Sequence, residues 1–450
     1  MMLNIGLSEK IHFIGIGGAS MSSLALFLAQ NGYKITGSDN NDTTFLFKKQ
    51  ENIKNFIGHF AKNVENAETV IYTRAISPDN PELVYAKEHG LQILERAELL
   101  GRISALFKNS VAISGTHGKT TTTSLISTVA LELGIDPTVM VGGKMQCCDS
   151  NFALGKSDYF IYEACEYYDA FLNFHPFAAV ILNIELDHPD YFKSYSQLES
   201  SFEKFSNGIQ DGGFTAVNYS DKGVKALVDA GRIKNPVLFG FHSSCDVYAE
   251  NTRIKDLGSD FTLCFKDGRK FNVSLSVGGE HNVLNALAAF AVFDKLGFNI
   301  PDVINAVKSF ISPKRRYELV FKKDDLTVID DFAHHPTELT ATLNTAKNGK
   351  YDTTVIIFQP HTYTRTAALL DGFAESLKAA DRVILVPIYA AREKDIYNVS
   401  SQTIADLVPG AVCANDFKEA ADLALSYKKG KTVILTVGAG DVYKVWEYLK

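Results

Sequence analysis

One short segment constrains the fold more than any other part of the chain. Ser110-Val-Ala-Ile-Ser114 is an apolar β-type run that passes directly into Gly115-Thr-His-Gly118-Lys119-Thr120. Beyond it, threonines lead into a stretch with Leu125, Val129 and Leu131 at helical spacing. The side-chain period changes from that of a strand to that of a helix across one glycine-rich turn. Such a loop wraps backbone N–H groups around a triphosphate. Lys119 would neutralise the β- and γ-phosphates, and Thr120 would offer its hydroxyl to Mg²⁺. The commonest form of this loop carries glycine where the chain has Ile113, so the loop here is shorter. The alternative is a ligand-free turn with an exposed lysine.

The same alternation of strand and helix continues on both sides, which implies an α/β chain with parallel sheets and helices on their faces. An early block has strands at Ile11–Ile16, Tyr33–Gly37, Thr69–Thr73 and Leu91–Leu94, with a helical face at Met21, Leu24, Ala25 and Leu28. A central block continues from Ser110 through strands at Tyr159–Glu163 and Ala178–Ile184, and closes near Ser312-Pro313 after a helical stretch Pro301–Phe310. A last block has strands at Leu326–Ile329, Thr353–Phe358, Arg382–Val386 and Thr432–Val437. The outer two blocks read as similar architectures flanking the central one. At 450 residues the chain exceeds what one core normally organises.

The net charge of -7 argues against nucleic acid, which needs a basic footprint. A phosphorylated ligand remains compatible, because local amides and a few cations suffice to hold it. Apolar runs such as Phe177–Ile184 are too short to cross a bilayer, and Met1–Lys10 does not read as a signal peptide. Six cysteines without a C-x-x-C pair suggest buried or inert reduced thiols and a cytoplasmic chain.

Other motifs fall at strand ends, where open α/β sheets take ligands. Gly15-Ile-Gly17-Gly18-Ala-Ser20 opens a helix after the first strand, and Asp39 closes the second, the arrangement of a diphosphate site with an acid for a ribose. Taken alone this suggests a dinucleotide-dependent oxidoreductase. Glu163, in Glu163-Ala-Cys-Glu166, is a natural Mg²⁺ ligand on chemical grounds. In Asn183-Ile-Glu-Leu-Asp187-His188, chemistry does not choose between Asp187 and His188. Asn282 and Asn285 share one helix face and suit an adenine edge, although helix capping by Asn282 is the favoured reading. Lys314-Arg-Arg316-Tyr, Asp330-Asp331-Phe-Ala-His334-His-Pro-Thr-Glu338 and Gln359-Pro-His361-Thr-Tyr-Thr-Arg365 gather cations, acids and histidines. Arginine there would clamp a carboxylate or phosphate.

In this order, GIGGASMSSLA, GSD, AISPDNPE, SGTHGKTTTT, EACE, NIELDH, GEHNVLNA, RRY, DDFAHHPTE, FQPHTYTRT and GAGD run through the whole chain, which resembles the Mur ligases. DDFAHHPTE and QPHTYTRT are similar to the alanine-adding branch. The resemblance implies three domains: 1–106, Rossmann-like and UDP-sugar-binding; 107–313, a P-loop-type ATPase with a mainly parallel sheet; and 314–450, Rossmann-like and amino-acid-binding. By resemblance Gly15, Gly17, Gly18, Ser20, Asp39 and Ser77 hold the UDP-sugar. Gly115, Thr116, His117, Gly118, Lys119, Thr120, Thr121, Asn282, Asn285, Arg316 and Asp331 hold ATP. Thr120, Glu163 and His188 hold Mg²⁺, and His334, His361 and Arg365 face the amino acid. Phe332 stands where relatives often have tyrosine and Thr362 where they often have arginine. Sister ligases use a carbamylated lysine after NIELDH; Lys204 lies near that place, and Glu203 competes for it.

The implied reaction joins UDP-N-acetylmuramate to L-alanine. The γ-phosphoryl of ATP activates the lactyl carboxylate as an acyl phosphate, and the amine then displaces phosphate. Lys119 would be catalytic, with His188 or His334 assisting deprotonation of the amine. A monomer or homodimer is expected, without a membrane or nucleic-acid partner. The rivals are a sister ligase that attaches a peptide during wall recycling, the oxidoreductase above, and a nucleotide-binding regulator without chemistry.

Overall fold

The computed structural model describes residues 5–48, 50–391 and 393–449. The reading of Met1–Lys10 against a signal peptide rests partly on residues 1–4, outside that range. Three sheets carry the chain.

In the first, β1 (Lys10–Ile14), β2 (Lys34–Asp39), β3 (Ile53–Ile57), β4 (Thr69–Tyr72) and β5 (Gln92–Glu95) are arranged β3-β2-β1-β4-β5. All pairings are parallel. The order reverses between β1 and β4, so a crevice opens at the carboxyl end of β1. Met21, Leu24, Ala25 and Leu28 are buried on the helix Ala19–Gln30, as their spacing requires. Phe27 of this helix lies against Phe107, which in turn lies against Phe160 of the next block, so the first two blocks share one apolar core. A Cβ at Gly101 would fall 2.3 Å from the Asn173 carbonyl oxygen, which explains glycine at that contact.

The second sheet contains β6 (Asn109–Ser114), β7 (Thr138–Met145), β8 (Ser150–Ala153), β9 (Tyr159–Glu163), β10 (Ala178–Ile181), β11 (Phe214–Asn218), β12 (Pro236–Gly240), β13 (Val247–Lys255), β14 (Gly258–Phe265) and β15 (Lys270–Leu275). Their order is β15-β14-β13-β12-β11-β10-β6-β9-β7-β8. β6 runs parallel to both β9 and β10, and antiparallel hairpins extend the two edges. Every residue of β10 is buried, as a strand covered on both faces demands. The helix Lys119–Glu132 is rich in threonine, a weak helix former. Burial of Thr121 through Ala130 holds it, and Thr123 and Thr128 donate their hydroxyls to the carbonyls of Lys119 and Ser124.

The third sheet holds β16 (Glu318–Lys323), β17 (Leu326–Asp331), β18 (Thr353–Phe358), β19 (Arg382–Leu385), β20 (Val412–Cys413) and β21 (Thr432–Val437), in the order β16-β17-β21-β18-β19-β20. β18 and β21 are buried along their whole length. The outer blocks differ more than the sequence pattern suggests, because β16 adds an antiparallel edge to an otherwise parallel sheet. Among the described residues the first sheet has no such strand. The hairpins of β13 to β15 also escape the sequence reading, since β13 alternates buried and exposed residues and carries charge on its wet face.

The expectation of buried or inert thiols needs correction. Cys147 and Cys148 are exposed, and hydrogen bonding from the Cys148 thiol pulls Cys147 down to about 6. All six cysteines are free. No helix among the described residues is long and apolar enough to cross a membrane.

Candidate active site

The glycine turn leaves the carboxyl end of β6 between the ends of β9 and β10. This topology brings Glu163 to one side and residues 182–188 to the other. Asn183 clamps the turn: its side chain accepts from the His117 N–H at 2.7 Å and donates to the His117 carbonyl at 3.0 Å. Its carbonyl accepts from the Thr116 N–H at 3.2 Å. The Thr116 hydroxyl joins both backbone groups of Glu185 at 2.9 Å. Gly115 has φ +137°, and a Cβ there would lie 2.9 Å from Leu182 Cβ and 3.1 Å from the Asn183 nitrogen. Gly118 has φ +84° and starts the helix without a side-chain cap, leaving its first N–H groups for an anion. Ile113, where the commoner loop has glycine, is fully buried in β6.

Lys119 is not the exposed lysine of the alternative reading. Its ammonium donates to the carbonyl of Thr116 at 3.0 Å and to both oxygens of Glu166, at 2.9 and 3.2 Å. Burial works against the charge, but the Glu166 carboxylate outweighs it and the lysine titrates above its ordinary value. Glu166 is 1% exposed, and His188 Nε2 lies 3.8 Å from it. The sequence pattern assigns Glu166 no role. The available signal was a second acid three residues beyond Glu163.

Glu163 accepts from the Gly142 N–H at 2.7 Å, which fixes its carboxylate at the end of β9. Gly143 stands against Thr120, where a Cβ would be 3.0 Å from the threonine methyl. Asp187 and His188 have different surroundings. Both oxygens of Asp187 accept from Arg365, at 2.9 and 3.1 Å. Asp187 is held well below the usual carboxylate range: burial opposes this, and Arg365 overrides it. His188, at φ +54° and stacked 4.2 Å from Tyr167, has only looser neighbours, its Nε2 lying 3.8 Å from Glu166 and 3.9 Å from Asp187. Burial lowers its pKa, so its imidazole is neutral near pH 7. Lys204 is exposed on the helix Tyr195–Asn207, and Glu203 pairs with Arg232.

A cavity of about 300 Å³ opens beside the turn, lined by His117, Gly118 and Thr121 from the loop and by Asn282, Asn285, Arg316 and Asp331. Residues far apart in the chain thus meet at one void. Asn282 is not the helix cap that the sequence favoured. Gly279 occupies the cap, and Asn282 donates to the Gly278 carbonyl at 2.7 Å while accepting from Asn285 at 3.1 Å. Asp331 is pushed up to about 6 by burial, and it accepts from Thr342 at 2.6 Å. The neighbouring Arg315 serves the scaffold, binding Asp330 and the carbonyls of Gly438 and Gly440.

His334, His361 and Arg365 lie together on the third block, facing Asp187 across the seam. The rings of His334 and His361 are 6.0 Å apart, and His361 stacks on Tyr389. His334 Nδ1 lies 3.0 Å from the Phe332 carbonyl. Burial lowers both histidines, His361 to about 4. His361 Nδ1 and Arg365 Nε are buried without partners. Phe332 meets the His334 ring edge-on at 5.6 Å. Thr362 takes φ +62°, rare for a β-branched residue, and accepts from the Arg365 N–H.

In the first block, Gly15 and Ile16 donate to the Ser38 carbonyl, and Gly17 donates to Asp39 at 3.0 Å. Asp39 therefore braces the loop itself, and a Cβ on Gly17 would lie 2.8 Å from its oxygen. Gly18 caps the helix with no side-chain bond, and Ser20 accepts from Arg96 at 3.1 Å. Ser77 is exposed just past Ile76, whose side chain packs on Gly15. Arg74 sits 5.2 Å over the ring of Tyr168, in the loop that follows Glu166. Tyr168 and Asp169 are both left-handed there. The crevice thus reaches the strained loop beside Lys119.

A Rossmann-like domain, a lysine-bearing glycine loop on a second sheet and a third α/β block packed against that loop define a nucleotide-dependent ligase assembled from three modules. The chain belongs to the Mur ligase family: its profiles match at residues 10–108 (catalytic domain), 113–293 (middle domain) and 315–440 (glutamate ligase domain). Among relatives, UDP-N-acetylmuramate--L-alanine ligase of Clostridium acetobutylicum is 44% identical over 98% of this chain and 97% of its own length. The enzyme of the same name from Clostridium beijerinckii is also 44% identical, over 98% of each chain. The crystal structure of UDP-N-acetylmuramate-alanine ligase from Thermotoga maritima superposes with TM-score 0.81 at 30% identity, covering 98% of both chains.

Proposed function

We propose that the chain is an ATP-dependent ligase that forms the amide between the carboxylate of UDP-N-acetylmuramate and L-alanine, releasing ADP and phosphate. One observation carries this reading. The Lys119 ammonium is held on Glu166 in a loop whose neighbours His117, Gly118 and Thr121 line a cavity with Asn282, Asn285, Arg316 and Asp331, and Arg365 of the third block closes on Asp187 beside it. The relatives named above support alanine over a peptide as the incoming group.

The division into 1–106, 107–313 and 314–450 fits the gaps between the sheets, at 96–108 and 276–317. Within it, the Gly15-to-Ser20 turn with Asp39 and Ser77 takes the UDP-sugar, so its diphosphate belongs to UDP and not to a nicotinamide dinucleotide. Lys119 leaves Glu166 for the ATP phosphates and offsets the charge that develops during transfer. Arg316 stands at the same cavity. The donor set of Glu163, the Thr120 hydroxyl and a neutral His188 suits Mg²⁺, which would neutralise phosphate charge there. The half-buried His334 imidazole is unprotonated near pH 7 and can accept the proton of the attacking amine, whereas His188 could do so only with its lone pair off the Mg²⁺. The seam between the second and third blocks keeps water from the acyl phosphate.

A phosphate-release screen of UDP-N-acetylmuramate with ATP against alanine, serine, glycine and a tripeptide tests the proposal. Turnover with alanine exceeding the others is expected. Turnover only with the tripeptide would move the chain to the recycling branch, and no ATP turnover with any amine would sink the ligase reading.

A further inference from the structure

His117 reaches out of the phosphate loop in two directions. Its Nε2 is 3.1 Å from Glu185 and its Nδ1 is 3.1 Å from Glu338, a residue of the third block. The other oxygen of Glu338 accepts from the backbone N–H groups of His334 at 2.9 Å and His335 at 3.3 Å, which fixes the turn that carries His334. Glu185 accepts in addition from Thr337 at 2.6 Å. Burial alone would lower the pKa of His117, but the two carboxylates raise it to about 9. At neutral pH both ring nitrogens therefore carry protons and donate. Asn183 holds the His117 backbone on both sides, and the two carboxylates hold the ring, so the ring is tied to the loop.

We propose that the His117 imidazolium, held between Glu185 and Glu338, is a positioning group that couples the phosphate loop to the His334 turn. Nucleotide in the loop then orders the place where the amine arrives. The inference rests on the functional reading above and deepens it. Another reading uses the same residues: His117, Glu185 and His335 offer ligand atoms within 4.8 Å of one another, and His335 Nε2 is buried without a partner. A metal there would need a lone pair from His117, whose nitrogens both already face carboxylates. His335 Nδ1, for its part, accepts from the Thr337 N–H.

The test uses the full chain. Glu338→Gln keeps an oxygen for the His334 and His335 amides and removes the charge; His117→Asn removes the ring from the other side of the seam. Hydrogen exchange across residues 333–338 is followed with and without a non-hydrolysable ATP analogue, beside steady-state kinetics. His117→Asn should speed exchange of that turn about tenfold, although it lies on the other block, and should abolish the protection that the analogue adds. Glu338→Gln should raise the KM for the amine about tenfold and that for ATP less than about threefold, with the double variant no worse than the worse single one. Unchanged exchange in His117→Asn, multiplying losses in the double variant, or equal rises in both KM values would overturn the coupling. Stoichiometric Zn²⁺ binding that protects the turn and is lost in His335→Ala would also overturn it. Should His117→Asn fail to fold, Glu185→Gln makes the same comparison. Absence of turnover with alanine in the unaltered chain would defeat the functional reading alone, since the exchange experiment needs no turnover.

Discussion

Replacing Gly115 by alanine should damage the nucleotide site far beyond what a glycine substitution costs elsewhere on the same helix-turn unit. At φ +137° an L side chain is strained by about 1–3 kcal/mol. The new Cβ would also meet Leu182 Cβ at 2.9 Å, and the backbone nitrogens of Asn183 and Leu182 at 3.1 and 3.2 Å. Backbone cannot rotate away, so overpacking adds about 1–3 kcal/mol. The sum is about 2–6 kcal/mol. Gly134, just past the end of the helix Lys119–Glu132, provides the control: its φ is +70°, but a Cβ there meets nothing within 4 Å. Gly134→Ala should cost only the conformational part, about 1–2 kcal/mol. The assay is thermal unfolding with calorimetric titration of an ATP analogue, at about 2–4 °C of Tm per kcal/mol for a domain of this size. Gly115→Ala should lose the larger Tm increment and at least about tenfold in nucleotide affinity, because Asn183 sets the Thr116 and His117 amides. Gly134→Ala should keep its affinity. Equal Tm losses in the two variants, with unchanged affinity in Gly115→Ala, would refute the steric argument.

Lys119→Ala should lower kcat by about 10²-fold or more, as loss of a key transition-state donor does, and near-normal ADP release would remove Lys119 from that role. The pKa of His117 is raised from 6.5 to about 9, so its contribution, up to about 3 kcal/mol, is full below pH 6.5 and fades as pH rises through about 9. The Tm gap between the unaltered chain and His117→Asn should accordingly be widest near pH 6 and close by about pH 10; a gap independent of pH contradicts the charge assignment. Asp187→Asn leaves the Arg365 guanidinium, 9% exposed, without its anion, and should cost about 3–5 kcal/mol by differential scanning calorimetry. A loss below about 1 kcal/mol would show the pair to be solvent-screened. Glu163→Gln should raise the Mg²⁺ concentration for half-maximal turnover about tenfold or more, and an unchanged requirement would free Glu163 of that duty.

Much of the architecture is written locally. The strands Tyr159–Glu163, Thr353–Phe358 and Thr432–Val437 stand where their β-type apolar runs place them, because a strand covered on both faces must be apolar throughout. The glycine turn at 115–118 is equally legible, since only glycine tolerates its backbone angles and close contacts. Local pattern also carried the α/β class and the order of the three blocks. It misread Asn282 as a cap and left Glu166 without a role, because a cap depends on the angles at Gly279 and an ion pair on where a second strand ends. The tertiary structure alone decided which charges meet. Arg365 finds Asp187 across 178 residues, and His117 finds Glu338 across 221. Nothing in the spacing of those residues encodes such pairs. They exist because separately folded sheets present their strand ends to one seam, where burial makes each unpaired charge costly and selects the partner within reach.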